Sequence, residues 1–157
     1  MRTLAIALTF WILAPLAAPD KEGIAFWTAG ELKSYERRLG PKMSPAKVAA
    51  EQLGKYGNHT VMIIHREGDG ESELHENQND VFVVQSGEGT LIVGGDMVGG
   101  HSTAPGEVRG TSISGGVRRR LGPGDMVHIP PKTAHQVLVP AGRQITYVVV
   151  KVDAAVP

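Results

Sequence analysis

Two short stretches carry the side chains that could do chemistry. The segment Glu73-Leu74-His75-Glu76-Asn77-Gln78-Asn79-Asp80 places Glu73, His75 and Asp80 close together in the chain. The segment Gly124-Asp125-Met126-Val127-His128-Ile129-Pro130, followed by Thr133-Ala134-His135, supplies a second imidazole at His135. Glu73 and His75 are two positions apart, so on a β-strand both side chains point to one face. If both stretches belong to one small β-barrel, Glu73, His75, Asp80 and His135 come within reach of one point. Two neutral imidazoles and two carboxylates suit Fe(II), Mn(II), Zn(II) or Ni(II) better than copper(I) or calcium. The chain has no cysteine, so a metal must be held by nitrogen and oxygen.

The surrounding sequence reads as short strands. After His59 the apolar period becomes strand-like, with runs at Val61–Ile64, Val81–Val84 and Thr90–Val93. Further candidates are Glu107–Ile113, Val117–Leu121, Met126–Ile129, Gln136–Val139 and Gln144–Val152, with glycine or proline at most junctions. Such spacing predicts an antiparallel all-β barrel or sandwich of the jelly-roll class. Upstream, Thr28 and Glu31 form a capping-box pattern ahead of Leu32, Tyr35 and Leu39, which predicts a helix over 28–39 stopped by Gly40-Pro41. Ser44-Pro45, with Val48, Ala49 and Leu53, predicts a second short helix. Residues 94–116 contain eight glycines in 23 positions. They read as a long, partly irregular hairpin, either a flexible surface loop or a lid over the barrel mouth.

The two chemical stretches resemble the motifs of the cupin superfamily. The first cupin motif has a His-x-His pair, an acidic residue and a closing glycine. His75, Asp80 and Gly87 stand at matching positions, with Glu73 in place of the first histidine and Asp80 in place of a glutamate. In the second motif Gly124, Pro130 and His135 match, with Lys132 where glycine is usual and Val139 where asparagine is usual. The resemblance implies a double-stranded β-helix, or jelly-roll barrel, which the two short N-terminal helices read above would precede. It also implies a metal set of Glu73, His75, Asp80 and His135 around a divalent transition metal (Fe, Mn, Zn or Ni). Asp80 is one methylene shorter than the usual glutamate, which leaves water-mediated ligation, or Gln78 in its place, as alternatives. Glutamate at the first position adds negative charge and weakens the Lewis acidity of the ion.

Other polar residues read more blandly. His128 is out of phase with Val127 and Ile129 and faces away from them. His65 shares a strand face with Val61 and Ile63 and is a candidate cavity residue. Arg118-Arg119-Arg120 reads as a solvated strand edge that discourages aggregation, with an anion site as the alternative.

Formal net charge is zero, with 16 basic and 16 acidic side chains, so no electrostatic footprint for nucleic acid or an anionic membrane is present. Leu4–Ala18 is a nearly continuous apolar run behind a short basic start. It reads as a signal peptide over residues 1–18, and so as export to the periplasm or beyond, with no membrane association after its removal. The expected organisation is then a helical segment over 19–57 packing on a barrel over 58–157. Three functions fit: a metal-dependent oxygenase or isomerase/lyase on a small molecule, a ligand-binding or sensing module, and a metal-free structural domain. The partner is a small-molecule substrate or ligand, with a homodimer allowed and the substrate itself unspecified.

Overall fold

The computed structural model describes residues 23–154; the expected signal peptide over 1–18 lies outside the described residues. Thr28 opens helix α1, Ala29–Leu39. Its hydroxyl accepts from the Glu31 amide at 3.1 Å, and the Glu31 carboxylate accepts from the Thr28 amide at 2.7 Å. Two of the orphan donors at the helix start are thereby satisfied. Gly40-Pro41 turns the end into a short 3-10 turn, and Tyr35 and Leu39 are buried beneath it.

Thirteen strands follow: β1 Val48–Tyr56, β2 His59–Arg66, β3 Ser72–His75, β4 Gln78–Gly87, β5 Gly89–Val93, β6 Asp96–Val98, β7 His101–Ala104, β8 Glu107–Gly110, β9 Ser112–Ser114, β10 Val117–Leu121, β11 Met126–Ile129, β12 His135–Leu138 and β13 Ile145–Asp153. The helix expected after Ser44-Pro45 is therefore strand β1. It pairs with β2 from Val48↔Arg66 to Tyr56↔His59, with a bulge between Gln52 and Gly54. Pairing along the whole of β2 satisfies more backbone than one isolated turn of helix would, and it covers what would be an open edge. The sheet thus begins at Val48 rather than at 58.

One sheet runs β1-β2-β13-β4-β11, the other β10-β5-β12-β3-β8-β7. Their inner faces meet in a core that includes Phe82, Val84, Leu91, Leu121, Ile129, Val137, Ile145, Tyr147 and Val149. The outer face of the first sheet, with Ala49, Val61, Ile63 and Val148, is covered by Tyr35 and Leu39 of α1. Successive residues of β13 alternate between these two layers, as a pleated strand requires.

The glycine-rich stretch 94–116 is the long hairpin its sequence suggested. It folds into two nested ladders, β6 with β9 and β7 with β8. Strand β8 then pairs with β3 in the register Glu73↔Arg109 and His75↔Glu107. Gly87 ends β4 at φ +75°, and a Cβ there would lie 2.0 Å from the Gln144 carbonyl oxygen. The closing glycine of the first motif is thus demanded by both conformation and space.

Candidate metal centre

Strands from both sheets bring the polar side chains together. Glu73 and His75 point inward from β3, and His135 stands directly opposite Glu73 at the start of β12. Asp80 enters from β4 of the opposing sheet, where it faces Ile129 on one side and Lys151 on the other. His75, Asp80 and His135 are almost fully buried. One ligand atom from each of Glu73, His75 and His135 lies within 4.8 Å of the others. Asp80 Oδ2 is 3.4 Å from His75 Nε2 and 3.7 Å from His135 Nε2, and Glu73 Oε2 is 3.6 and 3.9 Å from the same two nitrogens. First-row ions bind nitrogen and oxygen at about 2.0–2.2 Å, which sets tetrahedral neighbours about 3.4 Å apart. The carboxylate-to-imidazole distances lie close to that spacing, while the group whose ligand atoms all lie within 4.8 Å of one another is Glu73, His75 and His135, with Asp80 beside it.

The hydrogen bonds fix which ring nitrogen is free. His135 Nδ1 lies 3.0 Å from the Thr133 carbonyl, an acceptor, so Nδ1 carries the proton. Its Nε2 lone pair then points into the cluster, buried and without a hydrogen-bond partner among the described residues. Burial holds the His135 pKa below that of an ordinary imidazole, against the pull of Glu73, so this nitrogen is a neutral donor. His75 Nδ1 lies 2.8 and 2.9 Å from the two Glu107 oxygens. A carboxylate there leaves Nε2 as the ligating atom, the arrangement seen around metal-bound histidines. An orphaned lone pair beside a second oriented imidazole and two carboxylates fits a divalent metal.

Cations surround the carboxylates. Burial opposes ionisation of Glu73, but the His75 contact and Arg109, at 2.6 Å, hold its pKa well below the usual carboxylate range. Asp80 is likewise held low against burial, by His75 and by Lys151. Lys151 Nζ sits 2.9 and 3.0 Å from the Asp80 oxygens and 2.8 Å from His75 Nε2. Burial works against a charged His75, while Asp80 and Glu73 together raise it to about 9. A charged imidazole and an ammonium cannot both present hydrogens across that 2.8 Å contact. The geometry therefore favours one shared positive charge on the pair, with Lys151 donating to a neutral His75.

A small cavity adjoins the donors, with about 20 Å³ open to water-sized occupants. That volume holds a water or two. Arg66, Phe82, Tyr147 and Lys151 form part of its wall, and Arg66 Nε donates to the Tyr147 hydroxyl at 3.0 Å. Phe82 meets the His135 ring edge-on at 6.1 Å and packs it in place.

All four residues singled out in the sequence meet here, and Glu73, His75 and His135 form the compact group that could bind a metal. Several secondary readings need correction. Gln78 is turned out of the site and its amide donates to Asp153 at 2.7 Å. His65 is buried on the α1 side of the sheet, 2.8 Å from the Thr146 hydroxyl, because the face it shares with Val61 and Ile63 packs under the helix rather than lining the cavity. His128 is exposed, as its phase implied. Arg118, Arg119 and Arg120 are exposed on edge strand β10, and Arg120 pairs with Glu88. Sequence reasoning missed Arg66, Glu107, Arg109 and Lys151. Lys151 did leave a signal: it is a charge in the inward phase of Ile145, Tyr147 and Val149.

No family model matches the sequence, and no curated protein matches it. Solved structures do match. The TT1209 protein of Thermus thermophilus is 17% identical at a TM-score of 0.54, over 76% of this chain and 94% of its own. A conserved Klebsiella pneumoniae protein with a double-stranded β-helix domain is 17% identical at 0.53, over 73% and 84%. KdgF from Halomonas is 15% identical at 0.51, over 71% and 84%. At these identities the likeness shows the fold: this chain is a double-stranded β-helix, here with a histidine–carboxylate cluster inside the barrel.

Proposed function

We propose that this protein is a divalent-metal enzyme acting on a small anionic molecule, of the isomerase or lyase kind. The observation that carries the reading is the convergence of two Nε2 atoms with two carboxylates, at imidazole-to-carboxylate distances of 3.4–3.9 Å, one of those nitrogens buried and unpartnered among the described residues. Glu73, His75, Asp80 and His135 would hold the ion. The ion would supply Lewis acidity, moderated because two carboxylates neutralise its charge. Arg66, fixed by Tyr147 and by Glu73 at 3.4 Å, would meet a substrate carboxylate or a developing oxyanion at the cavity wall once the substrate displaces the water there and the wall opens to admit it. Phe82 and Val149 keep that wall apolar, which strengthens the polar contacts made beside them. A second reading, an Fe(II) oxygenase, draws on the Glu73–His75–His135 group, since two imidazoles and one carboxylate suit non-haem iron.

The test follows metal and turnover together. Protein purified without added metal is assayed for metal content, then incubated with small hydroxy- and keto-acids under air and under argon, with substrate loss read by NMR. Turnover that needs the metal, persists under argon and disappears in His135→Ala supports the reading. Turnover only under air supports the oxygenase. Wild-type protein that neither retains nor takes up a divalent metal contradicts both.

A further inference from the structure

Lys151 sits inside the centre although the donor set does not need it. It enters because β13 alternates Tyr147, Val149 and Lys151 into the barrel, and because Lys151 stands directly opposite Asp80 in the β13–β4 ladder. Its Nζ contacts both Asp80 oxygens, at 2.9 and 3.0 Å, and His75 Nε2, at 2.8 Å. These are ligand atoms that a metal would use. An ammonium and a divalent ion cannot share them, since both are cations and both need the same lone pairs. Asp80 has no way out: its side chain is 2% exposed, whereas that of Lys151 is 19% exposed. The lysine reaches the site from the rim on a flexible four-carbon stem, so it is the group that can leave.

We propose, resting on the metal reading above, that Lys151 is a built-in stand-in cation and that metal loading is an exchange. Without metal its ammonium neutralises Asp80 and occupies the His75 lone pair, which keeps a buried carboxylate paired and the barrel intact. When a divalent ion enters, the ammonium is expelled toward the rim. The exchange lowers the net affinity for metal and protects the empty site from collapse or from unpaired charge. Arg66 and Arg109 contact Glu73 and neither Asp80 nor the His75 Nε2, so Lys151 is the cation that occupies those two donors.

Zinc titration by calorimetry of the full chain, in wild type, Lys151→Gln and Lys151→Met, tests this. Removing the competing cation should tighten Zn²⁺ binding at least tenfold in both variants, while the melting temperature of the metal-free variants falls. Amine labelling of the wild type, read by mass spectrometry, gives a measurement that needs no variant: Zn²⁺ should accelerate labelling of Lys151 severalfold over the other lysines. Unchanged or weaker Zn²⁺ binding in the variants, or Lys151 labelling that ignores Zn²⁺, overturns the exchange while leaving the metal centre standing. Absence of Zn²⁺ binding in wild type and variants alike removes the metal centre, and the exchange with it.

Discussion

Replacing Glu107 asks whether the metal centre extends beyond its donors. Glu107 is not itself one of the four. It faces His75 across the β3–β8 ladder and contacts Nδ1 through both oxygens, at 2.8 and 2.9 Å. That contact fixes the ring plane and the tautomer, and its negative charge makes Nε2 a better donor. Loss of such a partner costs typically about 10–100-fold in metal affinity, or roughly 1.4–2.7 kcal/mol at 1.36 kcal/mol per decade. Glu107→Gln keeps an acceptor but not the charge, so it belongs at the tenfold end; Glu107→Ala, which also frees the ring to rotate, belongs at the hundredfold end. Arg109 would stay in place through its 2.6 Å contact to Glu73, so the β3–β8 pairing should survive either change. Competition of Zn²⁺ between each variant and a chromophoric chelator measures the loss directly. Wild-type affinity in Glu107→Ala, alongside lost binding in His75→Ala, would show that Glu107 orients nothing and would refute the argument from ring geometry.

Two further outcomes are expected. Gly87→Ala must place a Cβ 2.0 Å from the Gln144 carbonyl oxygen at φ +75°; left-handed strain and overpacking together should cost about 2–5 kcal/mol, read as a fall in the urea midpoint, and a shift within error would mean the β4 turn is free to relax. Acid should destabilise the metal-free protein through Glu73 and Asp80: both are held below their ordinary pKa, so their contribution is complete above about pH 5, begins to fall at the unfolded values near 4 and is lost progressively as pH drops toward the lower folded values. Urea titrations from pH 7 to 3 should show that decline, and Asp80→Asn should flatten it; an equally steep decline in that variant would place the acid sensitivity elsewhere.

The barrel was legible because period-two alternation and glycine junctions survive in the sequence even where the motifs deviate. Glu73 and His75 were legible as a pair because two positions on a strand share a face whatever the fold. Strand β1 was not, since Val48, Ala49 and Leu53 satisfy a helical stripe equally well, and only the pairing with β2 decides between them. Glu107 and Arg109 fell on a candidate strand, Glu107–Ile113, but nothing in the sequence showed that this strand pairs with β3, which is what brings both side chains to the site. Lys132, at the glycine position of the second motif, is an exposed turn residue held at φ 60°, and its amide donates to the His75 carbonyl at 2.7 Å, so it tethers the β12 approach to the ligand strand. Lys151 was visible only as a charge out of place on an apolar face, and its meaning depended on Asp80 lying opposite it.

The central claim is that one divalent ion binds between His75 and His135 with Glu73 and Asp80 beside it. A crystal of the protein soaked in Mn²⁺ and measured for anomalous scattering tests this most directly. The account predicts a single strong peak inside the barrel, at about 2.0–2.3 Å from both Nε2 atoms, with the Lys151 amine displaced toward the rim. No peak at that position, with Lys151 still spanning Asp80 and His75, would contradict it.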